Sequence, residues 1–163
     1  MRSKIGLIIG VLGLLFSCDS DLVFDEYKSV DGAWDKDDSI EFKIMPPDTL
    51  NPYNLFINLR NTNDYKYNNL FLIVEMNYPN GKIKKDTLEY RMTTPEGEFL
   101  GAGFTDVKEN KLWYSQAEIF DESGEYIVKI NHAMRETGAV NGIEKLEGII
   151  DVGFRIERPK NGN

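Results

Sequence analysis

The most specific chemistry in the chain belongs to the thiol of Cys18, the only cysteine among 163 residues. It closes an N-terminal pattern of Met1-Arg2-Ser3-Lys4, an apolar run from Ile5 to Phe16, and Ser17-Cys18. A basic start followed by an apolar stretch is the form of a secretory signal. The run is shorter than the roughly 20 residues that span a bilayer. Leu15-Phe16-Ser17-Cys18 fits the bacterial lipobox: an aliphatic residue three before the cut, a small one just before it, and cysteine just after. Phe16 is bulkier than usual for its place. At such a site the thiol takes a diacylglyceryl group, the signal is cleaved, and the new amine is acylated. Each buried methylene contributes about 0.8 kcal/mol and one chain anchors only marginally, so two or three chains are what hold a protein on a membrane. Cys18 is therefore the expected lipidation site, and the lipid bilayer, reached through acylated Cys18, is the first expected partner.

Other constellations read as structure. A single cysteine leaves no intramolecular disulfide and no cysteine-based zinc site. His132 is the only histidine, and although Arg135 and Glu136 are near it in sequence, no serine sits in a nucleophile-elbow motif, so it reads as structural. Asp31, Asp35, Asp37 and Asp38 cluster around Trp34, but their spacing matches no calcium loop and they read as a solvated approach to the domain. Gly101-Ala102-Gly103-Phe104-Thr105-Asp106 begins like a dinucleotide fingerprint, lacks the third glycine, and reads as a loop. Trp34, Trp113 and Tyr114 are candidates for stacking on a sugar or anchoring an interface, with core packing the commoner fate of a Trp in a sandwich. The expectation is no enzyme, no catalytic residue, no cofactor and no metal. Removal of residues 1–17 leaves 17 basic against 27 acidic side chains. A body this acidic repels phosphate backbones and anionic headgroups, which excludes nucleic acid as a partner and requires a covalent tether.

The elements that carry these residues alternate with period two. Ile40, Phe42 and Ile44 share a face, as do Tyr53, Leu55, Ile57 and Leu59. So do Leu70, Leu72, Val74, Met76 and Tyr78; then Tyr126, Val128 and Ile130; then Ile150, Val152, Phe154 and Ile156. Phe24 and Tyr27 mark a first strand. Tyr78-Pro79-Asn80-Gly81-Lys82 reads as a hairpin turn, because Asn-Gly tolerates positive φ. Pro46-Pro47-Asp48, Thr94-Pro95-Glu96-Gly97 and Asp121-Glu122-Ser123-Gly124 are further breaks. Ala133–Glu136 and residues 143–147 are each predicted to make a short helical turn. The predicted fold is all-β: a two-sheet antiparallel β-sandwich, immunoglobulin-like or jelly-roll-like, of seven to eight strands. The predicted organisation is a cleaved lipoprotein signal peptide over 1–17, a lipid-anchored acidic lead-in over 18–36, the sandwich over 37–158 and a disordered tail over 159–163.

Several blocks then line up with one family. They are Tyr53-Asn54-Leu55-Phe56-Ile57-Asn58-Leu59-Arg60-Asn61 with Asn63-Asp64-Tyr65-Lys66-Tyr67-Asn68-Asn69-Leu70-Phe71-Leu72, Lys85-Asp86-Thr87-Leu88-Glu89-Tyr90, Glu109-Asn110-Lys111-Leu112-Trp113-Tyr114, and Gly148-Ile149-Ile150-Asp151-Val152-Gly153-Phe154-Arg155-Ile156-Glu157. Together they resemble the gliding-motility lipoproteins of the Bacteroidota known as GldH, over nearly the whole chain. The resemblance implies a non-enzymatic lipoprotein of the cell envelope, a structural or assembly component of motility machinery linked to type IX secretion. It implies other gliding or secretion envelope proteins as partners, and Cys18 is the only functional residue it carries over. An outer-membrane location facing the periplasm is the expected placement. A glycan-binding envelope lipoprotein using exposed aromatics is the alternative, and the exposure of Trp34, Trp113 and Tyr114 separates the two.

Overall fold

The computed structural model describes residues 20–136 and 138–160. The expected signal peptide 1–17, the expected lipidation site Cys18 and residues 161–163 of the expected tail lie outside them. Ten strands follow in chain order: β1 Leu22–Ser29, β2 Ala33–Asp35, β3 Ile40–Ile44, β4 Pro52–Asn61, β5 Asn69–Asn77, β6 Ile83–Arg91, β7 Lys108–Ile119, β8 Tyr126–His132, β9 Lys145–Glu147 and β10 Ile149–Glu157. No helix forms among the described residues.

The pairing is nested. β5 pairs with β6, β4 with β7, β3 with β8, β2 with β9 and β1 with β10, all antiparallel. The chain behaves as one long hairpin whose tip is the Tyr78–Lys82 turn, where the Gly81 N–H donates to the Tyr78 carbonyl at 2.9 Å and Gly81 takes φ 88°. Folding that hairpin over puts successive pairs in alternate sheets, ordered β1-β10-β4-β7 and β3-β8-β5-β6, with β2-β9 a short separate ribbon. This is jelly-roll connectivity. An immunoglobulin sandwich pairs its first two strands in one sheet, whereas here only β5 and β6 are both consecutive and paired.

Alternation decides the core. Every residue of the five predicted apolar faces is buried except Ile150, and Phe42 of one sheet stacks on Phe154 of the other with centroids 6.0 Å apart. Ile150 is displaced because the β10–β4 register shifts between Ile149 and Asp151, which turns Ile149 inward instead. Two further expectations are corrected. Among the described residues there are ten strands rather than seven to eight. The strand marked by Phe24 and Tyr27 is β1, which forms an edge of the first sheet, and β2 follows it. The helical turns do not form: Arg135 bridges Gly142, and Lys145–Glu147 is β9, pairing β2 so that Leu146 and Trp34 are both fully buried.

Gly148, between β9 and β10, shows how tightly the ribbon is seated. Its N–H donates to the Gly32 carbonyl at 2.9 Å, and its own carbonyl accepts from the Thr62 N–H at 2.8 Å. Its φ is 84°, and a Cβ there would lie 2.1 Å from the Tyr65 backbone nitrogen. Gly97 has a similar φ of 89° with nothing within 4 Å of the position a Cβ would take. Positive φ alone costs a non-glycine residue on the order of 1 kcal/mol. Gly148→Ala is therefore expected to lose at least about 3 kcal/mol of stability in urea unfolding and Gly97→Ala only about 1 kcal/mol. Equal losses would show that the backbone approach at Tyr65 does not constrain the fold.

Candidate functional surface

The outward face of the first sheet is more ordered than a merely wetted face. The register aligns Asp25, Arg155, Phe56 and Trp113 across its four strands, then Tyr27, Gly153, Asn58 and Lys111, then Ser29, Asp151, Arg60 and Glu109. Gly153 is a strand residue whose lack of a side chain is used: a Cβ would lie 2.9 Å from the Tyr27 ring, so the ring lies across the glycine. The Arg60 guanidinium sits 4.2 Å from the Tyr27 ring centroid, and the Tyr27 hydroxyl donates to Glu109 at 2.7 Å. Arg60 also faces Glu109 at 3.5 Å and Asp151 at 3.4 Å. Arg155 pairs with Asp25 at 2.7 Å and with Glu157 at 2.5 Å, and Lys111 reaches Glu157 at 2.6 Å. Burial, reinforced by the hydrogen bond to Glu109, pushes the Tyr27 phenol well above its usual range. At Glu157 burial favours the neutral acid, but hydrogen bonds from Lys111 and Arg155 outweigh it and hold the carboxyl below its usual range.

Trp113 stands beside this network. Its ring is 4.4 Å from that of Phe56 at an interplanar angle of 48°, and Lys111 lies 4.1 Å from the Phe56 centroid on the same face. Phe56 is thereby only 4% exposed although it points out of the sandwich, while Trp113 is 53% exposed. Phe56, Trp113, Lys111, Asn54, Glu157 and Lys160 contribute to a groove of about 500 Å³. The β4–β7 register shifts on both sides of Leu55, and nearby Ala117 takes φ 54° with its N–H donating to Asn54 Oδ1 at 3.2 Å. Bulges of this kind re-aim side chains at a sheet edge. Side chains from β6 cap part of the β7 edge: the Tyr90 hydroxyl donates to the Trp113 carbonyl at 2.6 Å, and Lys84 pairs with Glu118 at 3.4 Å. Such contacts hinder pairing with a second chain there.

The other sequence-predicted residues fall apart as a group. Cys18 lies outside the described residues. Trp34 is fully buried, its indole N–H donating to the Asp38 carbonyl at 2.9 Å. Tyr114 points away from Trp113 and donates to Asp86 at 3.0 Å. Of the three aromatics named for sugar stacking, Trp113 alone is exposed, and they form no common platform. Asp35 accepts from the Asp37 N–H at 3.0 Å and Asp37 pairs with Lys36 at 2.7 Å. Among the described residues no three acidic or histidine side chains converge as a metal site. Gly101–Asp106 is a braced loop in which Lys108 donates to the Gly103 carbonyl at 2.7 Å and Phe104 stands fully in solvent. The Tyr27–Gly153–Arg60 crossing and the role of Phe56 were not anticipated. Their signals are an apolar residue at an outward position of an alternating strand, and a glycine inside one.

His132 is 4% exposed and meets Trp34 edge-on with centroids 5.4 Å apart. Its Nε2 lies 3.0 Å from the Trp34 carbonyl, so this nitrogen carries the proton and donates. Nδ1 is buried with no hydrogen-bond partner. Burial holds the imidazole below its usual range, because a second proton would sit on Nδ1 with nothing to accept from it.

The family described as "GldH lipoprotein" matches residues 22–156. "Gliding motility lipoprotein GldH homolog" of Christiangramia forsetii is 53% identical over 99% of this chain and 100% of that protein. "Gliding motility lipoprotein GldH" of Flavobacterium johnsoniae is 52% identical over 94% of this chain and 95% of that protein. Among solved structures, that of infectious bursal disease virus Gx strain aligns with 86% of this chain and 33% of its own at 11% identity and a TM-score of 0.35, too loose to argue from.

The His132 geometry fixes a sign. The unfolded imidazole titrates near 6.5 and the folded one lower, so the unfolded state binds more protons as pH falls below 6.5. The stability held above that value is lost on acidification toward the folded titration point. The melting temperature is expected to fall between pH 7 and pH 5, and His132→Gln, which keeps an N–H donor, is expected to flatten that slope. An unchanged slope in the variant would move the acid sensitivity elsewhere.

Proposed function

The chain belongs to the GldH lipoprotein family, and from that premise we propose that it is a non-enzymatic, lipid-anchored envelope component required for gliding, held by Cys18 in the outer membrane and facing the periplasm. It serves as a structural or assembly part of the motility machinery linked to type IX secretion. The observation that carries this reading is the identity of 52% to the Flavobacterium johnsoniae gliding motility lipoprotein over 94% of the chain. The face around Trp113 supports a docking role. Its charged groups are engaged with one another, which gives a preorganised surface, and an exposed tryptophan beside arginines and a lysine is the composition of an interface hot spot. The partners of that face are other envelope proteins of the same machinery. The glycan-binding alternative rests on Trp113 alone, without the aromatic platform that would favour it.

The test is complementation of a Flavobacterium johnsoniae strain lacking its own relative. The chain is expected to restore colony spreading and adhesin secretion, whereas Cys18→Ala is expected to restore neither and to leave the membrane fraction. Trp113→Ala is expected to keep the melting temperature within a few degrees, the side chain being half exposed, and to reduce spreading. Full spreading with Cys18→Ala would overturn the anchored reading. Full spreading with Trp113→Ala would remove that face as the docking site.

A further inference from the structure

We propose that the end of the sandwich next to the lipidated terminus is a membrane-contacting rim, with Met45, Leu50 and Ile119 entering the headgroup layer of a zwitterionic bilayer. The inference rests on the reading of Cys18 as the acylated residue. It goes beyond that reading by giving the folded domain its own contact with lipid and a fixed orientation.

The strand register shows which side chains share that end. In the first sheet Leu22 pairs with Glu157, Glu157 with Asn54, and Pro52 with Ile119. In the second sheet Ile44 pairs with Tyr126, and Asn77 with both Ile83 and Ile127. Residues 45–51 link β3 to β4 and residues 120–125 link β7 to β8, so the two sheet ends meet at one end of the sandwich. Tyr53, Phe120, Tyr126 and Tyr78 pack in sequence beneath these loops, tilted or edge-on, with centroids 6.0, 5.0 and 5.1 Å apart. Above this floor Leu50 is 83% exposed, Met45 69% and Ile119 47%, flanked by Ile83 and Leu22.

The presentation of Leu50 is built. The Asp48 carboxylate accepts from the Leu50 N–H at 2.9 Å, the Asn51 N–H at 2.7 Å, the Asn51 side-chain amide at 3.0 Å and the Tyr53 hydroxyl at 2.6 Å. Tyr53 is itself buried, so the loop is pinned to the core while Leu50 is held away from it. Cys18 precedes Leu22 by four residues, a reach of at most about 14 Å for any chain conformation. A lipid on Cys18 therefore keeps this end, rather than any other surface, against the bilayer. Apolar side chains on a tethered rim partition into the headgroup boundary and add to the anchor. The loops and strand ends on this side carry Asp21, Asp48, Asp121, Glu122 and Glu125 against Lys82, Arg158 and Lys160, an acidic excess that disfavours anionic lipid and leaves a zwitterionic surface such as phosphatidylethanolamine.

The test uses the full acylated lipoprotein. With Cys18 acylated, Leu50→Cys supplies the only free thiol, and it is labelled with an environment-sensitive fluorophore. Met45→Cys is a second rim site, and Phe104→Cys, in the loop before β7 at the opposite end, is the control. Labelled proteins are reconstituted in phosphatidylethanolamine–phosphatidylcholine vesicles carrying nitroxide lipids. The expected result is that all three float with vesicles and that the Leu50 and Met45 probes are blue-shifted and quenched several-fold more than the Phe104 probe. Flotation with equal, weak quenching at all three sites would overturn the rim and leave the acylated Cys18 standing. Failure to float would overturn the Cys18 reading and the rim with it.

Discussion

Nested antiparallel pairing is the constraint from which the rest follows. A chain that pairs its first strand with its last, and each strand inward with its mirror, must bring both ends of the domain together. It must also throw its connecting loops alternately to the two ends of the sandwich. Among the named strands, β5 and β6, closed by the Tyr78–Lys82 turn, are the only pair joined by a few residues. Every other strand pair is won against the entropy of a long intervening segment. Such pairings persist because each strand has one face to bury. Phe42 and Phe154, far apart in the chain, meet only when both sheets have formed.

That constraint also explains why the two outer faces differ in weight. The first sheet receives β1 and β10, which flank the domain in sequence, and its outward side carries Arg60, Lys111 and Arg155 among Asp25, Glu109, Asp151 and Glu157. A chain with a net charge of −8 thus comes within one charge of neutrality among these residues and leaves most of its surplus acidity elsewhere. Arg155 and Glu157 are largely buried, and the attraction within such a pair is set against the cost of taking both charges out of water, so its net contribution to stability is small. This network is justified less by stability than by the order it imposes on Tyr27, Phe56 and Trp113. Gly153 is the condition for that order, because any side chain there would lift Tyr27 off the sheet and away from Arg60.

Legibility in the sequence tracked burial. Strands inside the sheets, such as β4, β5, β8 and β10, announce themselves because one face is continuously apolar. Edge strand β6 does not. Ile83, Lys85, Thr87, Glu89 and Arg91 face solvent and the residues between them are only half buried, so alternation of exposure survives while alternation of hydrophobicity fades. β2 and β9 are three residues each, too short for any period, and they exist because Trp34 and Leu146 are covered by the same tertiary contact. The helical turns expected at 133–136 and 143–147 lost to that contact. The phase error at Ile150 came from a register shift, which leaves no mark on composition. The outward network was illegible for a different reason: charged residues on strands read as generic solvation until the register shows which of them are neighbours.

Tether and fold together restrict how this domain meets anything else. Under the proposed anchor at Cys18, a tether of a few residues would restrict the tumbling of a domain whose ten-residue strand β4 is about 33 Å long. In the proposed orientation strand direction would run away from the membrane, and the outward face of the first sheet would stand perpendicular to it. Trp113 would then be presented sideways along that face and the Phe104 loop at the top. A partner embedded in the same membrane would be offered the Trp113 face, and one spanning the space beyond it the loop. A neighbouring component of the same envelope would gain from that arrangement an oriented surface whose ordering cost was met when the sandwich folded.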